Sequence, residues 1–75
     1  MQNIYITCIH DRHTDDVYKA FTTEQAAKNY LREMQAKYRW QEAQENCQYG
    51  DWCLFITDDY YMFVQKVELV AEKVA

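Results

Sequence analysis

Thr22-Thr23-Glu24-Gln25-Ala26-Ala27-Lys28-Asn29-Tyr30-Leu31-Arg32-Glu33-Met34-Gln35-Ala36-Lys37-Tyr38 is the stretch with a clear helical period, and it leaves a pair of strands before it and a pair after it. Ala27, Leu31, Met34 and Tyr38 recur at spacings of four, three and four. At about 100° per residue they fall within roughly 60° of one another and form one apolar stripe, with Tyr30 on its flank. Thr22 to Gln25 fits a capping box, in which the Thr22 hydroxyl accepts from the Gln25 N–H and the Gln25 side chain reaches back to the Thr22 N–H. Glu24 puts negative charge in the first turn, where the helix dipole favours it. No breaker follows until Gly50, so the pattern predicts a helix from Thr23 to about Asn46.

Outward from that helix the period changes to two. Ile4-Tyr5-Ile6-Thr7-Cys8-Ile9 is rich in β-branched and aromatic residues and reads as a strand. The polar run His10 to Asp15 reads as a loop, and Asp16 to Phe21 as the hairpin partner. After the helix, Cys47 to Asp51 is a connector in which Gly50 is free to take a left-handed conformation. Trp52 to Thr57 is a third strand, Asp58-Asp59 a turn, and Tyr60 to about Val70 a fourth strand; Val67, Val70 and Val74 are also spaced for a short helix. The expected fold is α+β, a four-stranded antiparallel sheet with one long helix on one face, in the order β-β-α-β-β.

Seventy-five residues make one domain, residues 1–75, with a thin core. Seven Tyr, three Phe and two Trp compensate, because aromatics bury the most area per residue. With no Pro and a single Gly, the composition is that of an ordered chain. Eight basic residues against twelve acidic ones leave a net charge of −4. Phosphate backbones are bound chiefly through Lys and Arg, so direct nucleic-acid binding is not expected. The start lacks the basic region of a signal peptide, and no apolar run approaches the roughly 20 residues of a membrane span. A cytoplasmic protein with no membrane association is therefore expected, with Cys8, Cys47 and Cys53 as reduced thiols rather than a disulfide framework.

Few residues are arranged for chemistry. Cys8, His10 and His13, followed by Asp15 and Asp16, carry the donor types of a zinc site. Their spacing matches no standard zinc pattern, and they are only weak candidates for metal or thiol chemistry. No glycine-rich phosphate loop or nucleophile elbow is present. No enzyme activity and no cofactor are expected.

Surfaces are more informative. One helix covers one side of a sheet, yet strand alternation puts large apolar or aromatic residues on both sides. Whichever side the helix takes, the other keeps rings that seek a contact, either a homodimer or a protein partner. Trp40 lies roughly 180–200° from the helix stripe, so it is either an outward anchor beside Arg39 or, if the helix ends before it, a lid folded back on the core. Asp15, Asp16, Asp58 and Asp59 fall at turns and would steer a basic partner. The expected contact set is Trp40, Arg39, Tyr5, Tyr18, Phe55, Tyr60, Asp15, Asp16, Asp58 and Asp59.

The run Ala20-Phe21-Thr22-Thr23-Glu24-Gln25-Ala26-Ala27-Lys28-Asn29-Tyr30, preceded by the Ile4–Ile9 strand and a polar hairpin, resembles the start of many small bacteriophage and prophage accessory proteins. The likeness covers roughly the first forty residues. It implies a phage-encoded protein that works by binding and inhibiting host machinery, including defence systems, in the host cytoplasm. No functional residue carries over from it.

Overall fold

The structure, a computed structural model, describes residues 2–45 and 49–69. β1 (Gln2–Asp11) and β2 (Val17–Phe21) form the first hairpin, α1 (Glu24–Lys37) follows, and β3 (Trp52–Thr57) and β4 (Tyr60–Leu69) form the second. The α+β class and the β-β-α-β-β order are as the sequence pattern leads one to expect. All strand pairs are antiparallel, in the spatial order β2-β1-β4-β3. The long strands therefore pair with each other at the centre, from Gln2 opposite Leu69 to Asp11 opposite Tyr60. α1 leaves one edge strand and the chain returns along the other edge, so the helix lies across the middle of the sheet.

The register settles which side is the core. Ile9, Leu54, Met62 and Val64 are 3, 1, 0 and 1% exposed and pack with Ala27 and Leu31 of the helix, each 0% exposed. Full burial of each large aliphatic side chain contributes about 1.5–3 kcal/mol. Ala27 has no side-chain bulk beyond Cβ, which suits a helix lying close on a sheet. Thr7 is fully buried on the same side and satisfies its hydroxyl on the Lys19 carbonyl at 3.4 Å.

The helix differs from expectation at both ends. Its N-cap is Thr23, whose Oγ accepts from the Ala26 N–H at 3.1 Å, one residue later than the Thr22 box. Gln25 does not turn back to a cap; its amide donates to Asn29 Oδ1 at 2.9 Å. Adjacent threonines leave the cap degenerate in sequence, and packing of Ala27 and Leu31 selects the register. At the other end the helix stops at Lys37 rather than near Asn46. The Arg39 N–H donates to the Ala36 carbonyl at 3.2 Å and the Trp40 N–H to the Gln35 carbonyl at 2.8 Å, with Arg39 at φ 60°. This is a Schellman ending with arginine in the left-handed position that glycine usually fills. The chain then turns back, and an isolated bridge between Gln44 and Phe55 ties it to β3. Asn46 and the alternative helix involving Val70 and Val74 lie outside the described residues.

Gly50 makes the second close approach. It sits at φ +63°, and a Cβ there would come within 2.5 Å of the Val64 carbonyl oxygen and 2.9 Å of the Phe63 ring. Its neighbour Asp51 is fastened to β4 twice. The Asp51 N–H donates to the Val64 carbonyl at 2.8 Å, and Asp51 Oδ2 accepts from the Lys66 N–H at 2.6 Å. β3 begins only at Trp52, opposite Val64, so this carboxylate takes up a β4 donor beyond the reach of the edge strand.

Candidate functional site

Strand parity turns Cys8, His10, Tyr18, Phe55, Tyr61 and Phe63 to the side of the sheet that the helix does not cover. The register brings their rings together. Tyr61 stands opposite both His10 and Phe55. His10 stacks on Tyr61 with centroids 4.7 Å apart, and Tyr49 from the connector stacks on the same ring at 4.2 Å with planes 6° apart. Tyr49 also faces Phe55 at 6.1 Å and Phe63 at 6.5 Å. These rings are half-buried on one another, whereas Tyr18 at the β2 edge is 61% exposed. Cys8 lies beneath this layer and is only 2% exposed.

Carboxylates border the rings. His10 Nδ1 is hydrogen-bonded to Asp16 Oδ1 at 2.7 Å, and the Tyr18 hydroxyl donates to Asp16 Oδ2 at 3.5 Å. At the other end the Tyr49 hydroxyl donates to Asp58 Oδ1 at 3.3 Å. Burial raises the Tyr49 and Tyr61 hydroxyl pKa values, with Asp58 adding to both and Asp16 to Tyr61. Burial also pushes the Cys8 thiol up, against a lowering hydrogen bond from Tyr18. A thiol that is buried and held neutral is a poor nucleophile.

Six of the ten residues of the expected contact set lie elsewhere. Tyr5 packs against the core beneath the helix, because its parity is that of Thr7 and Ile9. Tyr60 shares the helix side with Trp40, and the two rings meet edge to face at 6.0 Å. Trp40 is half-buried against the core, so the helix ending chooses the folded-back reading over the outward anchor. Arg39 is exposed beside it, on the turn itself. Asp59 is at the hairpin tip, 3.7 Å from Arg12, and Asp15 is exposed in the first loop. Tyr18, Phe55, Asp16 and Asp58 do belong to the ring face. Tyr49, Tyr61 and Phe63 complete it; the pairing of β4 with β1 and β3 brings Tyr61 and Phe63 to the face, and the connector lays Tyr49 on them.

The weak metal candidates do not converge. His10 turns to Asp16 and Tyr61, while His13 lies 6.2 Å from Tyr60 on the other side. Among the described residues no three His, Cys, Asp or Glu side chains come together. Cys8 is a free buried thiol, but Cys53, 1% exposed, is disulfide-bonded, which corrects the expectation of reduced thiols throughout. An odd cysteine count carries no information about spatial proximity, and folding supplies it. Cys47 lies outside the described residues. On the helix side a cleft of about 170 Å³ is lined by Tyr5, Glu24, Asp51, Val64 and Lys66. It falls below the roughly 300 Å³ at which small-molecule sites begin.

Among the described residues, no helix is long and apolar enough to cross a membrane. No protein-family model, curated protein or solved structure matches the chain.

Proposed function

We propose that this chain is a small protein-binding module without chemistry of its own, and that its contact surface is the uncovered face of the sheet. The observation that carries this reading is the ring layer of His10, Tyr61, Tyr49, Phe63 and Phe55, with Tyr18 more than half exposed at its edge. Tyrosine offers large rigid area with a polar tip, which is why it is enriched at interfaces. The buried, neutral Cys8 and the engagement of His10 with a carboxylate instead of a thiol favour contact over catalysis. The likeness of the first forty residues to small phage accessory proteins directs the proposal further, to a phage-encoded inhibitor or modulator of a host defence protein.

The test compares the wild-type chain, Tyr18→Ala/Tyr61→Ala, and Tyr38→Ala as an exposed control on the helix side, each immobilised and exposed to bacterial host lysate. A protein held by the wild type and the control, and bound at least about 30-fold more weakly by the double variant, is the expected result, since interface anchors are worth about 2 kcal/mol or more. Equal retention by all three would remove the ring face as the contact surface. A dimer in sedimentation that Tyr18→Ala/Tyr61→Ala dissociates would assign the face to self-association.

A further inference from the structure

Sorting the charges by strand parity shows what kind of surface the ring face can accept. β2 and β4 each contain one basic residue and β1 and β3 contain no Lys or Arg. Lys19 stands opposite Thr7, and Lys66 stands opposite Tyr5, so both share the parity of the helix side. Lys28 and Arg32 of α1 are on that side too, 5.5 and 5.3 Å from the Trp52 ring. The ring face carries instead Asp16 at one border and Asp58 at the other, each bound to a hydroxyl of a face tyrosine. Each of these carboxylates has about four acceptor positions, so the bonds they already accept leave further capacity. The covered side therefore mixes both signs, Lys19 and Lys66 with Asp11 and Glu68, whereas no Lys or Arg of the strands stands on the ring face and Asp16 and Asp58 lie beside its rings.

We infer that the ring face binds an arginine-bearing segment of a partner protein, with guanidinium groups laid on the tyrosine rings and paired to Asp16 and Asp58. The inference rests on the protein-binding reading above and names its partner by chemistry. Aromatic faces attract cations, and arginine is the residue that can both stack flat on a ring and present a fork of donors to a carboxylate. A phosphate backbone has the wrong sign for this face, because no Lys or Arg stands among its strand residues to receive it. A second copy of the chain, face to face, would set carboxylates against rings that bring no cation to meet them.

The inference is tested by titrating the ¹⁵N-labelled protein with a ten-residue Gly/Ser peptide containing three arginines, and with the same peptide carrying citrulline in their place. A ten-nucleotide DNA single strand is titrated in parallel. The arginine peptide is expected to shift the amides of Cys8, His10, Tyr18, Tyr61 and Phe63, and to bind at least tenfold more tightly than the citrulline peptide. Asp16→Asn/Asp58→Asn is expected to lose that tenfold preference, whereas Glu33→Gln/Glu42→Gln, with the same charge change at exposed positions outside the ring face, keeps it. Equal binding of the citrulline peptide, an equal loss in the two double variants, shifts confined to another surface, no shift at millimolar peptide, or oligonucleotide binding on this face would each overturn the inference. A sedimentation dimer whose interface covers these amides would overturn it as well. Its failure is separable from that of the protein-binding reading. If Tyr18→Ala/Tyr61→Ala releases the captured protein and Asp16→Asn/Asp58→Asn does not, the contact surface stands and its arginine chemistry falls.

Discussion

Replacing Gly50 by alanine tests how the ring face is assembled. The residue sits at φ +63°, and the added methyl would meet the Val64 carbonyl oxygen at 2.5 Å and the Phe63 ring at 2.9 Å. A side chain in the left-handed region costs about 1–2 kcal/mol. The carbonyl is backbone in a central strand and cannot swing aside, so the connector must lift. That movement strains the Asp51 N–H bond to the same carbonyl and the Lys66 N–H bond to Asp51 Oδ2. Losing one of them adds about 0.5–1.5 kcal/mol. Alanine's lower unfolded-state entropy returns about 0.4–1 kcal/mol. Gly50→Ala should therefore destabilise the chain by roughly 1–3 kcal/mol. The assay is urea unfolding with fluorescence detection, reading a lower midpoint at an unchanged slope. For a domain of this size the melting temperature should fall by at least about 4 °C. Because Tyr49 precedes Gly50, the Tyr61 and His10 resonances should shift as the stack loosens. A variant as stable as wild type, with those resonances in place, would show that the connector does not approach β4 as described.

Four further outcomes follow from the same geometry. Arg39→Gly should raise stability by up to about 1 kcal/mol, because glycine relieves the left-handed residue of the helix ending; a loss of about 1 kcal/mol in urea unfolding would instead mean that the helix continues through it. Trp40→Ala should cost about 2 kcal/mol, near half of a fully buried tryptophan, and a neutral result in the same assay would return Trp40 to the surface. Thr23→Ala should cost about 1 kcal/mol and Thr22→Ala almost nothing, and the reverse order would restore the earlier cap. Burial raises the folded-state pKa of Cys8 above its ordinary 9.0, and those of Tyr49 and Tyr61 above their ordinary 10.0. Their contribution is complete below pH about 9 and declines as pH rises through the raised values, since the unfolded chain then releases protons first. Cys8→Ala should flatten the earliest part of that decline in a stability–pH series, and an unchanged profile would exclude the thiol as its source.

The phage likeness and the ring face bear on function at different levels. The likeness rests on a strand, a hairpin and a cap, which are devices of folding and identify no contact. The ring face is a property of four strands in one register with Tyr49 of the connector laid on it, and the proposed partner is assigned to it by position and charge. For that reason the proposals are tied to Tyr18, Tyr61, Asp16 and Asp58; Trp40 packs against the core and Arg39 lies on the turn beside it.

Local physics was legible in the residues. Alternation in Ile4–Ile9 and Trp52–Thr57, and the four-three-four stripe from Ala27 to Tyr38, identify strands and helix because each period maps directly onto one face. The helix boundaries were not legible. Two adjacent threonines offer the same cap chemistry, and the C-terminal stop uses an arginine at a position whose usual marker is glycine. Nor was the composition of the site. A tyrosine in an alternating strand reads the same whether it turns to the helix or away from it, so nothing in the sequence separates Tyr5 and Tyr60 from Tyr18 and Phe55. Only the pairing of β1 with β4, and of β4 with β3, fixes parity between strands distant in the chain. The amino-acid order determined the elements and their periods, since those depend on near neighbours. Tertiary structure decided which side of each element is buried, because that depends on which strand lies alongside.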